Sequence, residues 1–228
     1  MRVNVYSDKF SGTLSAAEVL KVIKSVFKNF DIQANYFPVT DGGEHSTEIF
    51  KHYNIQTENV SMKKDFVGSW IPAEYLNING DVYFESASLI GVNKTSEHPF
   101  NLNTAALSQV IPEIDVLGLG GSKTVDGGIG LLSCLGIDFY AEEEMITNPK
   151  PKDFKDITAV KVNDSFSNLE LKVLTDTSTR LLGSNSALAT YGPQKGLNKK
   201  EIKHLEEQLE RIFQTVSTEL NIPCLLYT

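Results

Sequence analysis

RVNVYSDKFSGTLSAAEVLKVIKSVFKNF, residues 2–30, is the stretch that sets the fold class. Residues 2–6 form a short β-type run that stops at a polar turn, Ser7-Asp8-Lys9-Phe10-Ser11-Gly12. A helix start follows. Ser15 and Glu18 have the spacing of a capping box, in which each side chain satisfies the other residue's free backbone N–H. Beyond them Ala16, Val19, Leu20, Ile23, Phe27 and Phe30 recur at helical spacing and predict one apolar face. The pattern then repeats: a β-type run at 33–39, the turn Thr40-Asp41-Gly42-Gly43-Glu44, and a short helix at about 45–52. Strand, loop and helix, twice over, open a parallel α/β sheet.

Further along, 56–62, 69–77 and 81–87 read as consecutive strands, with Asn79-Gly80 as a turn. Three strands without an intervening helix point to an antiparallel element and a second domain, divided as 1–64 and 65–228. The α/β rhythm returns at Thr104 with a short helix to Ile111 and a strand at 115–119. The glycine-rich loop GLGGSKTVDGG, Gly118 to Gly128, then leads into a helix ended by Gly136. Glu142-Glu143-Glu144 reads as a solvated hairpin tip, NPKPKDFKD at 148–156 as a loop, and 171–175 as a strand ending at Asp176. Ile202, Leu205, Leu209, Ile212, Phe213, Val216 and Leu220 mark one face of a long helix from about Asn198.

Composition narrows the function classes. The 228 residues carry 21 Lys and Arg against 29 Asp and Glu, a net charge of −8. General nucleic-acid or anionic-membrane binding needs a basic face, so neither is expected, whereas a small anion needs only local positive charge. The two cysteines, Cys134 and Cys224, form no disulfide framework, and neither they nor the four histidines have metal-ligand spacing. No apolar run approaches a membrane span and the start carries no signal-peptide core, so the expected location is cytoplasmic.

Four loops hold residues suited to chemistry, each beside a strand end or helix start where open α/β sheets bind ligands. Asp8 to Thr13 combines a carboxylate, an ammonium and hydroxyls before a helix N-terminus, where free amides favour an anion. Asp41-Gly42-Gly43-Glu44 places two carboxylates around a glycine pair, as Mg²⁺, a polyol hydroxyl or a plain tight turn would each require. Gly118 to Gly128 carries Ser122, Lys123, Thr124 and Asp126 among five glycines. Ser122 stands where a P-loop needs glycine, and Lys123 where G-x-G-x-x-G needs its third glycine, so both nucleotide fingerprints fail. A non-standard anion loop remains, beside the simpler reading of glycines for close packing. The fourth region is Asp176 to Asn185 with Tyr191-Gly192-Pro193-Gln194-Lys195-Gly196.

In this order the loops resemble the two-domain bacterial glycerate kinase family. The family's opening D-[SK]-F-K-G-[ST]-x-[ST]-A is matched by Asp8-Lys9-Phe10-Ser11-Gly12-Thr13-Leu14-Ser15-Ala16, and D-G-G-E-G-[ST] by Asp41-Gly42-Gly43-Glu44-His45-Ser46. E-x-A-x-x-x-G-[LV] is matched from Glu85 to Val92, and G-x-G-G-S-x-T-x-D-G-G-x-G from Gly118 to Gly130. D-x-x-x-x-L-x-G and F/Y-G-P-Q-K-G fall on Asp176 to Gly183 and Tyr191 to Gly196. The resemblance implies transfer of the ATP γ-phosphoryl group to a hydroxyl of D-glycerate with Mg²⁺, leaving open which hydroxyl. It implies an α/β fold, a Rossmann-like parallel-sheet domain plus an inserted second α/β domain, with the site in the cleft between them. Mapped residue by residue, Asp41 and Asp126 are the catalytic candidates, for hydroxyl activation or Mg²⁺ contact. Asp8, Lys9, Glu44, Gly120, Gly121, Ser122, Thr124, Asp176 and Lys195 are the substrate- and phosphate-binding candidates, with metal ligands and oligomeric state left open. Asp41 and Asp126 are expected to converge on one cleft.

The chain departs from the pattern in four places. Ser11 replaces a lysine, His45 replaces a glycine, and Leu102 to Gln109 lacks two glycines and a glutamate of the family. The family also continues beyond LNIPCLLYT through further glycine loops that would complete the first domain, so the expectation is a C-terminally truncated member. Two uncompensated losses of oriented donors would slow turnover by about 10⁴, so a catalytically inactive homologue that binds a metabolite or partner is the alternative. An unpaired edge and an uncovered apolar face are expected on the sheet begun by 2–6 and 33–39.

Overall fold

The computed structural model describes residues 2–10, 13–166, 169–183 and 185–221. Ser11, Cys224 and the final apolar stretch from 222 lie outside the described residues. Strand β1 (Arg2–Ser7), helix α1 (Ala16–Asn29) and strand β2 (Gln33–Pro38) form the expected unit, with β1 and β2 parallel in a register from Arg2↔Gln33 to Ser7↔Pro38. The capping box is present: Ser15 N–H donates to Glu18 Oε2 at 2.8 Å, and Glu18 N–H to Ser15 Oγ at 3.3 Å. Among the described residues this sheet is two strands wide, so these strands do not cover the whole stripe of α1. Ala16, Val19 and Leu20 are buried, but Phe30, expected on the same face, is 71% exposed. Tyr6 stacks on Phe37 across the two strands and is also exposed, so the expected uncovered apolar face is present among the described residues.

Helix α2 (Ser46–His52) leads to β3 (Thr57–Lys64), β4 (Trp70–Ile78) and β5 (Asp81–Glu85), an antiparallel run. Asn79 and Gly80, both with positive φ, make the two-residue turn between β4 and β5. The short α3 (Ala87–Ile90) and β6 (Val116–Gly118) follow, and β6 lies parallel to β5. A division after residue 64 would separate β3 from β4, hydrogen-bonded neighbours in one sheet. Residues 105–109, read as an α-helix, are a 3₁₀ turn.

Helix α4 (Ile129–Cys134) and strands β7 (Ile137–Ala141), β8 (Glu144–Met145) and β9 (Ala159–Val162) build an antiparallel sheet, with Glu142 at the hairpin tip. Strand β10 (Lys172–Leu174) returns to pair with β6, giving the five-stranded order β10-β6-β5-β4-β3. Helices α5 (Ala187–Lys195) and α6 (Lys199–Leu220) complete the chain, and α6 starts at an Asn198–Glu201 capping box. The architecture is mixed α/β, with one parallel, one mixed and one antiparallel sheet.

Two apolar layers position the loops. Phe84, Leu89, Val110 and Leu117 pack on one face of the five-stranded sheet, while Tyr83 and Leu76 pack with Phe50 and Ile55 on the other. The apolar face of α6, with Leu205, Leu209 and Ile212, covers Ile137, Phe139 and Phe154. Residues 151–156, expected as an exposed loop, form a 3₁₀ turn that buries Phe154 completely. Arg211 of α6 donates to the carbonyls of Phe154 and Ile157, which supplies the backbone partners that a buried turn needs. No helix among the described residues is long and apolar enough to cross a membrane.

Candidate active site at the crossing of two glycine loops

The turn after β2 crosses the turn after β6 at van der Waals distance. A side chain at Gly43 would meet Gly120 Cα at 3.1 Å, and one at Gly118 would meet the Gly42 carbonyl oxygen at 2.3 Å. Only glycine lets two backbones approach this closely. Tyr83, fully buried in β5, fixes the crossing by donating from its hydroxyl to Gly42 O at 3.1 Å. Burial holds that phenol well above its usual range, so it remains a donor. Behind the loop, Val92 N–H donates to Gly121 O and Lys123 N–H to Ile90 O, so the amide of Lys123 is already in use.

The carboxylate side of the crossing is neutralised locally. Lys9 Nζ lies 3.3 and 3.2 Å from the two oxygens of Asp41, and 4.0 Å from Asp8. Asp41 Oδ1 also accepts from Gly43 N–H at 2.8 Å, and Asp8 Oδ1 accepts from Lys9 N–H at 2.6 Å. Lys9 therefore orients Asp41 before it can serve any ligand. Glu44 lies under Gly121 and accepts from Asn93 Nδ2 at 2.8 Å.

Glu85, quoted in the motif but not counted among the site residues, holds α2 in place. Its two oxygens accept from His45 N–H and Thr47 N–H, each at 2.9 Å. An anion would find the start of α2 already occupied by this nearly buried carboxylate. His45 itself has φ 71°, the left-handed region that glycine adopts freely. The departure at position 45 is thus absorbed as backbone strain, with the loop path kept.

Asp126 is not placed like Asp41. The Asp41 side chain is 30% exposed, whereas Asp126 is 1% exposed. Asp126 Oδ2 accepts three hydrogen bonds, from Thr104 N–H at 2.9 Å, Thr104 Oγ1 at 2.7 Å and Gly130 N–H at 2.9 Å. Its Oδ1 is buried with no hydrogen-bond partner. Burial raises its pKa against the lowering effect of those bonds. A carboxylate so enclosed ties the 104 turn to the start of α4, a setting unlike that of Asp41, although hydroxyl activation or Mg²⁺ contact was expected of both. Thr104 was not identified from sequence, because one hydroxyl in a polar stretch carries no spacing signal.

Lys195, the last residue of α5, reaches back to the glycine loop. Its ammonium donates to Thr124 O at 2.8 Å and to Ser122 Oγ at 3.2 Å. Burial, opposed by the charge of Asp126 and reinforced by that of Lys123, lowers its pKa to about 8. Asp176 is exposed, two residues beyond Leu174, whose Cβ would be 3.2 Å from a side chain at Gly42. Asp8, Lys9, Asp41, Glu44, Gly120 and Gly121 therefore gather at the crossing. Ser122, Thr124, Asp126 and Lys195 form an adjoining cluster on the continuation of the same loop. A cavity of about 400 Å³ lined by Ser178, Thr179, Arg180, Asn185 and Thr190 opens before α5.

Comparisons with known proteins bear on the family and the fold. A family model described as the glycerate kinase family matches residues 3–225. The glycerate kinase of Neisseria meningitidis serogroup B is 26% identical over 233 residues, covering 95% of this chain and 62% of that protein. The glycerate kinase of Halalkalibacterium halodurans is 29% identical over 231 residues, covering 93% and 60%. The glycerate 2-kinase of Escherichia coli K12 is 26% identical, covering 97% and 63%. A crystal structure assigned to glycerate kinase 2 of Salmonella typhimurium LT2 superposes with a TM-score of 0.70 at 22% identity, over 99% of this chain and 65% of that one. That likeness shows the fold. The chain spans about 60% of the length of the curated relatives it matches.

Proposed function

The chain belongs to the glycerate kinase family, and on that premise we propose that it serves the transfer of the ATP γ-phosphoryl group to a hydroxyl of D-glycerate. The observation that carries this reading is the crossing itself, where a partly exposed, lysine-oriented Asp41 lies against a glycine loop that the Lys195 ammonium reaches from the end of α5. Phosphoryl transfer needs positioning and charge neutralisation more than covalent help from the protein. In this reading Asp41 accepts the proton of the attacking hydroxyl, the new O–P bond forms as the bond to the ADP oxygen breaks, and Lys9 holds the Asp41 carboxylate in place. Lys195 and Ser122 neutralise phosphate or carboxylate charge.

Among the described residues no group of three or more His, Cys, Asp or Glu side chains is placed to hold a metal ion. Mg²⁺ would arrive on the ATP phosphates, as it commonly does in kinases. The hydroxyl-lined cavity before α5, with Arg180 at its wall, has the volume of a small-molecule site and is our choice for part of the nucleotide. We take β1, β2 and α1 as one unit and the five-stranded sheet with its neighbours as the other. The net charge of −8 argues against a general nucleic-acid or anionic-membrane partner, and we take the substrate as a small molecule and the setting as cytoplasmic. The departures counted from sequence bear on rate and leave the reaction class unchanged. The test is ADP release with ATP-Mg²⁺ in the presence and absence of D-glycerate, on this chain and on Asp41→Asn. D-glycerate-dependent release that falls at least about 100-fold in the variant is expected; release independent of D-glycerate would overturn the reading.

A further inference from the structure

Lys123 and Lys195 exchange backbone partners across 72 residues of sequence. Lys123 Nζ donates to the carbonyl oxygen of Lys195 at 2.9 Å, while Lys195 Nζ donates to the carbonyl oxygen of Thr124 at 2.8 Å. Each ammonium thus holds the backbone beside the other. The carbonyl that Lys123 takes belongs to the last turn of α5, where carbonyls lack intrahelical donors and the helix end is electronegative. Gly196 N–H to Pro193 O and Leu197 N–H to Gly192 O close the other bonds of that end.

The two ammonium groups repel each other. The charged groups acting on Lys195 are Asp126, which favours its charged form, and Lys123, which opposes it. Asp126 is buried with Oδ1 unpartnered. Two cations and one anion leave a surplus positive charge beside the glycine loop. Lys195 uses two of its three ammonium protons and Lys123 one, and Ser122 Oγ accepts from Lys195, which leaves the Ser122 hydroxyl proton free to donate. Unused donors with a surplus charge, on a loop locked from behind, fit one oxyanion group.

We propose that Lys123 is a positioning residue: its exchange with Lys195 latches the glycine loop to the C-terminal end of α5, and the unused donors of the pair with Ser122 take one phosphate or carboxylate group. The identity of that group rests on the kinase reading above; the latch does not.

The test uses Lys123→Met and Lys123→Arg beside the unchanged chain, with inorganic phosphate and D-glycerate as probes. Hydrogen exchange at the Gly196 and Leu197 amides is expected to quicken at least tenfold in Lys123→Met relative to amides of α6, and to stay near the original rate in Lys123→Arg. The Lys195 titration midpoint, read by lysine side-chain NMR without ligand, is expected to rise in Lys123→Met toward the ordinary lysine range and to stay near its original value in Lys123→Arg, which keeps the charge. Binding of one probe by calorimetry is expected to weaken at least tenfold in the same variant. Unchanged exchange and an unchanged midpoint in Lys123→Met would overturn the latch. No binding of either probe to the unchanged chain would overturn the anion site and leave the latch standing. No D-glycerate-dependent ADP release from the unchanged chain, with exchange and midpoint moving as expected in Lys123→Met, would count against the kinase reading only.

Discussion

Replacing Gly118 with alanine puts a methyl group where the two loops and β5 meet. The new Cβ would lie 2.3 Å from Gly42 O, 2.4 Å from the Tyr83 hydroxyl and 2.8 Å from Tyr83 Cε2. Two of these contacts fall about 1 Å inside ordinary van der Waals separation, and neither neighbour can yield easily. Tyr83 is fully buried, with Phe50 set edge-on against its ring at 5.1 Å, and Gly118 is held by strand pairing on both sides. Relief must lift the Asp41–Glu44 turn away from β6 and break the Tyr83–Gly42 hydrogen bond. Overpacking costs about 1–3 kcal/mol and a lost buried hydrogen bond about 0.5–1.5 kcal/mol, so Gly118→Ala should destabilise by about 2–4 kcal/mol. Gly43→Ala is the matched comparison. Its Cβ would lie 3.1 Å from Asp41 Oδ1 and 3.1 Å from Gly120 Cα, contacts that shifts of a few tenths of an ångström relieve, so a loss of under about 1 kcal/mol is expected. Urea unfolding measures both, with the denaturant slope as the check that the unfolded states match. A Gly118→Ala loss below about 1 kcal/mol at unchanged slope would refute the close crossing of the loops.

Three further outcomes follow from the same geometry. His45→Gly removes a left-handed backbone at φ 71° while keeping the N–H that Glu85 accepts; a gain of about 0.5–1 kcal/mol in urea unfolding is expected once the entropy of glycine is set against the relief. Glu85→Ala leaves the His45 and Thr47 amides without their carboxylate; it should cost about 2–3 kcal/mol and raise hydrogen exchange in α2 first. Lys195 has a pKa of about 8 in the fold, below the 10.5 of a free lysine. The unfolded chain then binds more protons between these values, so stability should rise with pH through that window, and anion binding should fall above pH 8, as proton-counting by unfolding and calorimetry at several pH values would show.

Local signals carried much of the fold. The capping box at Ser15 and Glu18, the Asn79-Gly80 hairpin and the apolar face of α6 depend on residues close in sequence, and each stands where the pattern put it. Long-range pairing was less legible. The three residues of β10 join β6 from more than fifty positions away, which no periodicity announces, and the apolar spacing of α1 could not show that its sheet has two strands among the described residues. The Asp-Gly-Gly turns at Asp41 and Asp126 look alike in sequence. Their environments differ because Thr104 and Gly130 close around Asp126, whereas Asp41 faces Lys9 and solvent. The glycine loop reads from its residues as a candidate anion loop, whereas Lys195 is a candidate only through the family resemblance. The role of Lys123 was not legible, since only the folded chain brings it to the carbonyl at the end of α5.

Label transfer from γ-labelled ATP to D-glycerate, with the phosphorylated product separated and counted, is the most direct measurement. The comparison is between the unchanged chain and Lys195→Met at pH 7, where the lysine with its pKa of about 8 is charged. Labelled phosphoglycerate from the unchanged chain, even at a low rate, with a loss of at least about 100-fold in the variant, is the expected result. Equal label in both chains, or label released only as inorganic phosphate, would contradict a kinase site built on the glycine loop and Lys195.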